Sequence, residues 1–205
     1  MVRKCYEQSY SMVAKMKVER EVFGVNITGD AGIGKSQWVS YLMYMLGRDD
    51  KIVIVLHSIH IDSNTAVLFR YIDGSPTVTE SRDIIGILNE AGPEAWYLVD
   101  GVSPHPTKTF TVLLSSPSKD SVHKDFRASP TTHDIRYMPD WTFEEIVVAN
   151  KACFHRDHEI IKDRFEKWGG IPRYVLQLAT LQGHQRLLYR ALAIESIRAV
   201  LGSAL

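Results

Sequence analysis

The sequence predicts an α/β protein: a three-layer arrangement around a parallel sheet core, with a C-terminal helical subdomain. Three observations in the 205 residues carry that expectation. A glycine-rich stretch at 29–34 stands between a strand-like segment at 23–28 and a helix-periodic one at 36–46. Continuous apolar, β-branched runs such as 51–56 read as strands buried on both faces, as in parallel sheets. Near residue 140 the strand signals end and helical periodicity takes over.

Taken in order, residues 1–20 form a mildly basic lead-in with a helical signal over 11–20. In nucleotide-binding domains such a segment often lies near the base, which would place 18–22 there; a solvated lead-in is the other reading. The first strand, 23–28, runs through the glycine stretch into a helix whose Trp38, Tyr41, Leu42, Met45 and Leu46 share one face. After the buried strand at 51–56, residues 66–72, 73–76 and 77–79 read as strand, tight turn and strand, a hairpin on the sheet edge. A short helix at 82–90 is closed by Ala91, Gly92 and Pro93. Strands follow at 96–100, 109–117 and 133–138, with a short helix at 119–127. Thr142 and Glu145 match a capping box that opens the helical region. Helices are expected at 156–168, ended by Gly169 and Gly170, at 171–180, and at 184–201, the last with Leu187, Leu188, Ala191, Ile194 and Leu201 on one face. The expected division is a lead-in at 1–20, an α/β core at 21–139 and a helical lid at 140–205.

Composition narrows the class. Hydrophobic residues make up 45% of the chain, enough for a proper core, and 24 basic residues balance 24 acidic ones. Net charge therefore argues for neither nucleic acid nor membrane as a partner. Cys5 and Cys153 stand far apart, so the expectation is an intracellular, reduced compartment without a disulfide framework. No apolar run is long enough to span a bilayer, and the first residues lack a signal-peptide core. The chain reads as a short family member or a piece of a longer architecture.

The chemistry concentrates at Gly29, Asp30, Ala31, Gly32, Ile33, Gly34, Lys35 and Ser36, which spell G-x-x-x-x-G-K-S between strand and helix, the phosphate-loop pattern. Backbone N–H groups can surround a polyphosphate only where the chain turns tightly without intruding Cβ atoms. The following helix adds unpaired N–H groups and a dipole contribution of roughly 0.3–1 kcal/mol. Lys35 is expected to reach the β and γ phosphates, Ser36 to ligate Mg²⁺, and Gln37 to complete the binding stretch. Asp100 ends an apolar strand 65 residues beyond Lys35, where a second motif would hold the same metal. Gly101 then stands where many hydrolytic enzymes carry a second acid, so no general base is identified and hydrolysis is expected to be slow or absent. Ser115 or Ser116, at a strand end, suits a γ-phosphate sensor. Cys153, His155 and His158 read as a helix end with a buried cysteine and solvated histidines. His57 and His60 flank a strand end and are given no catalytic role. The four tryptophans read as packing residues.

Five stretches together resemble the P-loop NTPase domain of the Crinkler family and of the related retrotransposon hot spot proteins. They are 32–36 (GIGKS), 96–101 (WYLVDG), 113–117 (LLSSP), 168–173 (WGGIPR), and 136–141 (RYMPDW) with 144–146 (EEI). The resemblance runs from about residue 20 to about 180 and implies a STAND/AAA-like ATPase core. In such domains a Gly-x-Pro element of the lid touches the base or ribose; Gly170, Ile171 and Pro172 match it, and Arg173 would meet the phosphates. Family members usually add an N-terminal ubiquitin-like region and often a nuclease-like or kinase-like domain; neither is visible here. Nuclear or host-cell action, a nuclear protein or nucleic-acid partner, and self-association are what the resemblance alone implies.

The resulting expectation is a Mg²⁺-dependent switch domain that binds and hydrolyses ATP, with Lys35, Asp100, Ser116 and Arg173 at the chemistry. One alternative is a regulatory module that binds nucleotide and hydrolyses little. A nucleotide kinase ranks last, because Arg156, Arg164 and Arg173 are scattered along the lid.

Overall fold

The computed structural model describes residues 2–20, 22–48, 52–72, 75–116 and 133–191. Its contacts group into two units: residues Val2–Gly29 with Gly34–Met138, and residues Asp30–Ile33 with the chain from Pro139 onward.

The first unit is a seven-stranded sheet with helices. The strands are β1 (Gly24–Thr28), β2 (Val53–Ser58), β3 (Ala66–Ile72), β4 (Ser75–Ser81), β5 (Trp96–Asp100), β6 (Phe110–Leu114) and β7 (His133–Tyr137). They lie in the order β4-β3-β2-β5-β6-β1-β7. From β2 to β7 the pairs are parallel, while β3 and β4 add antiparallel on the edge. Every residue of β1, β5 and β6 is buried, which is why these strands read as unbroken apolar runs rather than alternating ones. The edge strand β4 is exposed along nearly its whole length and tolerates Pro76, whose missing N–H has no inner neighbour to serve. The expected hairpin is therefore present at the sheet edge, its second strand extending to Ser81. Residues 73–74 of its turn, the expected helix at 119–127 and the end of the expected helix at 184–201 lie outside the described residues.

Parallel strands share one carboxyl edge. Thr28, Ser58, Asp100, Leu114 and Tyr137 all end there, the usual place for a ligand in an open α/β sheet. Helix α2 (Lys35–Leu46) follows β1 and buries Trp38, Val39, Leu42 and Leu46. Helix α3 (Ile84–Ala91) is capped by Asp83, which accepts from the Gly86 N–H at 2.9 Å. Its Ile84, Ile87 and Leu88 pack with Val55, Leu68, Tyr97, Val99 and Leu113 into one core.

Two features of the lead-in differ from the sequence reading. Helix α1 spans Lys4–Glu19, beginning well before residue 11, and it buries Arg3, Tyr6 and Val13 rather than lying solvated. The start of the helix reaches the glycine loop: the Tyr6 hydroxyl donates to the Gly34 carbonyl at 2.7 Å, and Trp38 Nε1–H donates to the Tyr6 carbonyl at 3.2 Å. Lys17 instead donates to the Glu94 and Ala95 carbonyls, at the opposite edge of the sheet, where burial lowers its pKa. An α-helix of 16 residues is about 24 Å long, so its two ends serve opposite edges.

The second unit is helical. Helix α4 (Phe143–Ala149) has the expected capping box, with Thr142 and Glu145 satisfying each other's backbone N–H. It widens into a π-type turn, Asn150–Phe154. Helix α5 (His158–Trp168), a second wide turn over Arg173–Gln177, and helix α6 (Gln182–Ala191) follow. Ile146, Ala149, Ile161, Val175 and Leu176 form the core. A buried amide closes it: Gln185 Oε1 accepts from Trp168 Nε1–H at 2.7 Å, and its Nε2 donates to the Tyr174 and Leu178 carbonyls at 3.1 and 3.0 Å.

Candidate functional site

The glycine loop has the backbone that its residues suggest. Gly32 and Gly34 sit at φ +96° and +105°, conformations closed to L side chains. A Cβ on Gly32 would lie 2.8 Å from Arg173 Cβ, so the loop needs hydrogen at that position for steric reasons as well. Gly34, at the N-cap of α2, supplies no side-chain oxygen to the first turn of the helix. The Lys35 ammonium folds back to the Gly29 carbonyl at 2.6 Å. Just before the loop, Thr28 Oγ1 and Asn26 Nδ2 are buried without a hydrogen-bond partner.

The sheet brings the remaining candidates to the same edge. Ser58 pairs with Asp100 across β2 and β5, and β6 lies between β5 and β1. Ser115 is buried and its hydroxyl donates to Asn26 Oδ1 at 2.9 Å, which commits it to holding β1 and the end of β6 together. Of the two serines, Ser116 is the one with solvent access. Ser36 and Asp100 offer a hydroxyl and a carboxylate, hard oxygen donors of the kind Mg²⁺ takes, so the donor chemistry fits that ion. Gln37 is exposed on α2. Asp30 and Ala31 are exposed and Ile33 is buried.

His60 was given no role from sequence, yet it stands here. Its Nε2 is 3.4 Å from Ser36 Oγ and 3.7 Å from Asp100 Oδ2. No periodicity or spacing signals this, because it depends on the β2–β5 register. Gly101 has φ +74°, and a Cβ there would meet Ile59 Cγ2 at 2.8 Å, so the backbone after Asp100 has no room for the second acid.

In the helical unit, Trp141 Nε1–H donates to the Ile33 carbonyl at 2.7 Å, and Arg173 lies against Gly32. Gly170 is required by packing: a Cβ would come within 2.1 Å of the Trp141 carbonyl, whose own N–H donates to Gly170 at 2.9 Å. Ile171 and Pro172 complete the turn before Arg173–Gln177. Arg164 donates to the Ala179 carbonyl and pairs with Asp163, a structural assignment. The Arg156 backbone is clasped by the Asn150 amide at 2.8 Å on both sides. Cys153 is exposed, not buried as expected, because it lies on the wide turn whose buried residue is Asn150. His158 packs edge-on to Phe143, and among the described residues no group of three His, Cys, Asp or Glu side chains converges. His57, buried in the sheet, joins Tyr97 Oη at 3.1 Å and the Ser63 carbonyl at 2.8 Å. Burial, with His105 nearby, holds its pKa below the ordinary histidine value against the opposing pull of the Ser63 bond. Burial pushes Tyr97 up to about 12.

Over 158 residues, 74% of this chain, the sequence is 34% identical to Crinkler effector protein 15 of Phytophthora infestans. The chain is homologous to Crinkler effector proteins. Crinkler effector protein 16 of the same organism matches to the same extent. The matched span is 24% of each relative, so the chain covers about a quarter of the length of these Crinkler proteins. No family model matches the chain. Among the described residues no helix is long and apolar enough to cross a membrane.

Proposed function

We propose that this chain carries the nucleotide-binding module of a Crinkler-type effector: a P-loop NTPase domain that binds ATP with Mg²⁺ and acts as a nucleotide-dependent switch. The observation that carries the reading is the loop at 29–36. The left-handed Gly34, the start of α2 and Lys35 make an anion cradle at the carboxyl edge of the parallel sheet. Lys35 exchanges the Gly29 carbonyl for the β and γ phosphates. Ser36 and Asp100 hold the metal, which neutralises phosphate charge. Ser116 responds to the presence of the γ-phosphate, so the two nucleotide states favour different conformations.

A regulatory module with little turnover is the second reading, and one observation favours it. The left-handed backbone at Gly101, with Ile59 against it, disfavours any side chain there, including an acid that orients water. A kinase draws no support from Arg164, whose guanidinium is engaged in building the helical unit. The test measures labelled ATP binding and phosphate release for the wild type and Lys35→Ala. Binding lost in Lys35→Ala supports the module; equal binding in both overturns it. Release above the Lys35→Ala background assigns turnover, and release at that background assigns the regulatory reading.

A further inference from the structure

We infer that His60 is a third donor to the cation held by Ser36 and Asp100, and that this site therefore prefers a borderline divalent ion such as Mn²⁺ or Co²⁺ to Mg²⁺. The inference builds on the nucleotide reading for the identity of the two oxygen donors. All three residues belong to the sheet unit.

The geometry brings one nitrogen and two oxygens together. His60 Nε2 lies 3.4 Å from Ser36 Oγ and 3.7 Å from Asp100 Oδ2. Donors bound to a first-row divalent ion at about 2.1 Å are separated by about 3.0–3.4 Å in octahedral or tetrahedral arrangements. The imidazole is 67% exposed, and its nitrogen stands within a few tenths of an ångström of that separation from each of the two oxygens. Its backbone is anchored to the metal strand. Ile59 N–H donates to the Asp100 carbonyl at 3.0 Å, Ile61 N–H to the Ser58 carbonyl at 3.0 Å, and His60 N–H to Ser58 Oγ at 3.2 Å. This turn also fills the space over Gly101 with Ile59, so the side chain that reaches the Ser36–Asp100 pair comes from the end of β2 instead of from the residue after Asp100.

Donor type then decides the ion. Mg²⁺ is held by oxygen and water, with reluctant dehydration, whereas an imidazole nitrogen adds affinity for first-row transition ions, least for Mn²⁺ and more through Co²⁺ and Ni²⁺. A hydroxyl, a carboxylate and an imidazole form a mixed set that shifts selectivity away from Mg²⁺.

The test uses the full chain grown with ¹⁵N-histidine and loaded with Mn²⁺, with and without ADP, read by pulsed electron paramagnetic resonance. The expected result is a ¹⁵N coupling to bound Mn²⁺ that disappears in His60→Ala and His60→Gln, with Mn²⁺ affinity reduced about tenfold or more and Mg²⁺ affinity little changed. His60 is exposed, so these variants fold, and a retained melting temperature checks that they do. Absence of nitrogen coupling, coupling that survives His60→Ala, or failure to bind Mn²⁺ overturns the inference. A chain that binds ATP without the coupling keeps the nucleotide reading and loses this one. A chain that shows the coupling without binding ATP does the reverse.

Discussion

At Gly101 one backbone angle limits the chemistry available to the whole site. A left-handed φ of +74° combined with Ile59 at 2.8 Å from any Cβ makes the position glycine-only on two independent grounds. Gly101→Glu, which supplies the acid that hydrolytic relatives of this architecture would use, is expected to lower stability by about 1–3 kcal/mol in urea titrations and to leave phosphate release no higher than wild type. Faster release from a well-folded Gly101→Glu protein would contradict the steric account. His57 carries a different prediction. Its two ring nitrogens are occupied by Tyr97 and Ser63 in a buried place, and its pKa is depressed in the fold. Between the ordinary histidine value of about 6.5 and the depressed one, the unfolded chain takes up the proton and the folded chain does not. The stabilising contribution is thus complete above about pH 6.5 and declines as pH falls below it. Equilibrium unfolding between pH 5 and 7 is expected to show less acid sensitivity in His57→Gln than in the wild type, once the constant loss from the substitution is subtracted.

Among the elements, α5, the wide turn at Arg173–Gln177 and α6 are joined by one amide in addition to their apolar core. Gln185 satisfies Trp168 and two carbonyls of the turn, and the Trp168 ring stacks on Tyr174 at 4.0 Å between centroids. Gln185→Ala strands a buried indole N–H and two carbonyls, and is expected to cost on the order of 2–3 kcal/mol in thermal or urea unfolding. Gln185→Glu keeps an acceptor for Trp168 but removes both donors, so it should fall short of full rescue. At this scale the sequence was informative wherever the cause is local. The loop glycines, Lys35, the capping box at Thr142 and Glu145, and the buried central strands all depend on neighbours within a few residues. The start of α1 was not legible, because what orders it is Tyr6 and Trp38, 32 residues apart, joined by tertiary hydrogen bonds. The exposure of Cys153 was missed for a related reason: the helix after Ala149 widens into a π-type turn around Asn150, which shifts the apolar face away from the cysteine.

For the whole molecule, the strand order was the piece that no local pattern contains. Apolar runs establish that 24–28, 96–100 and 110–114 are buried strands; they do not say that β6 separates β1 from β5, or that β2 lies beside β5 with Ser58 opposite Asp100. That arrangement is what gathers Lys35, Ser36, His60 and Asp100 at one edge from three segments of chain. A site built in this way is complete only in the folded state, since the unfolded chain scatters its members, so under the proposed function a bound nucleotide stabilises folding by mass action. At about 100 times its dissociation constant, Mg-ATP is expected to add about 2.7 kcal/mol, and for a chain of this length each kcal/mol raises the melting temperature by about 2–4 °C. The rise should therefore be about 5–11 °C and grow with the logarithm of ATP concentration. Lys35→Ala removes the phosphate contact and should flatten the dependence. Asp100→Asn should reduce the part of the rise that needs the metal and keep the part seen with ATP and chelator. Melting curves across an ATP series, with Mg²⁺ and with chelator, separate these contributions. A melting temperature indifferent to ATP in the wild type would return the loop to an ordinary glycine turn.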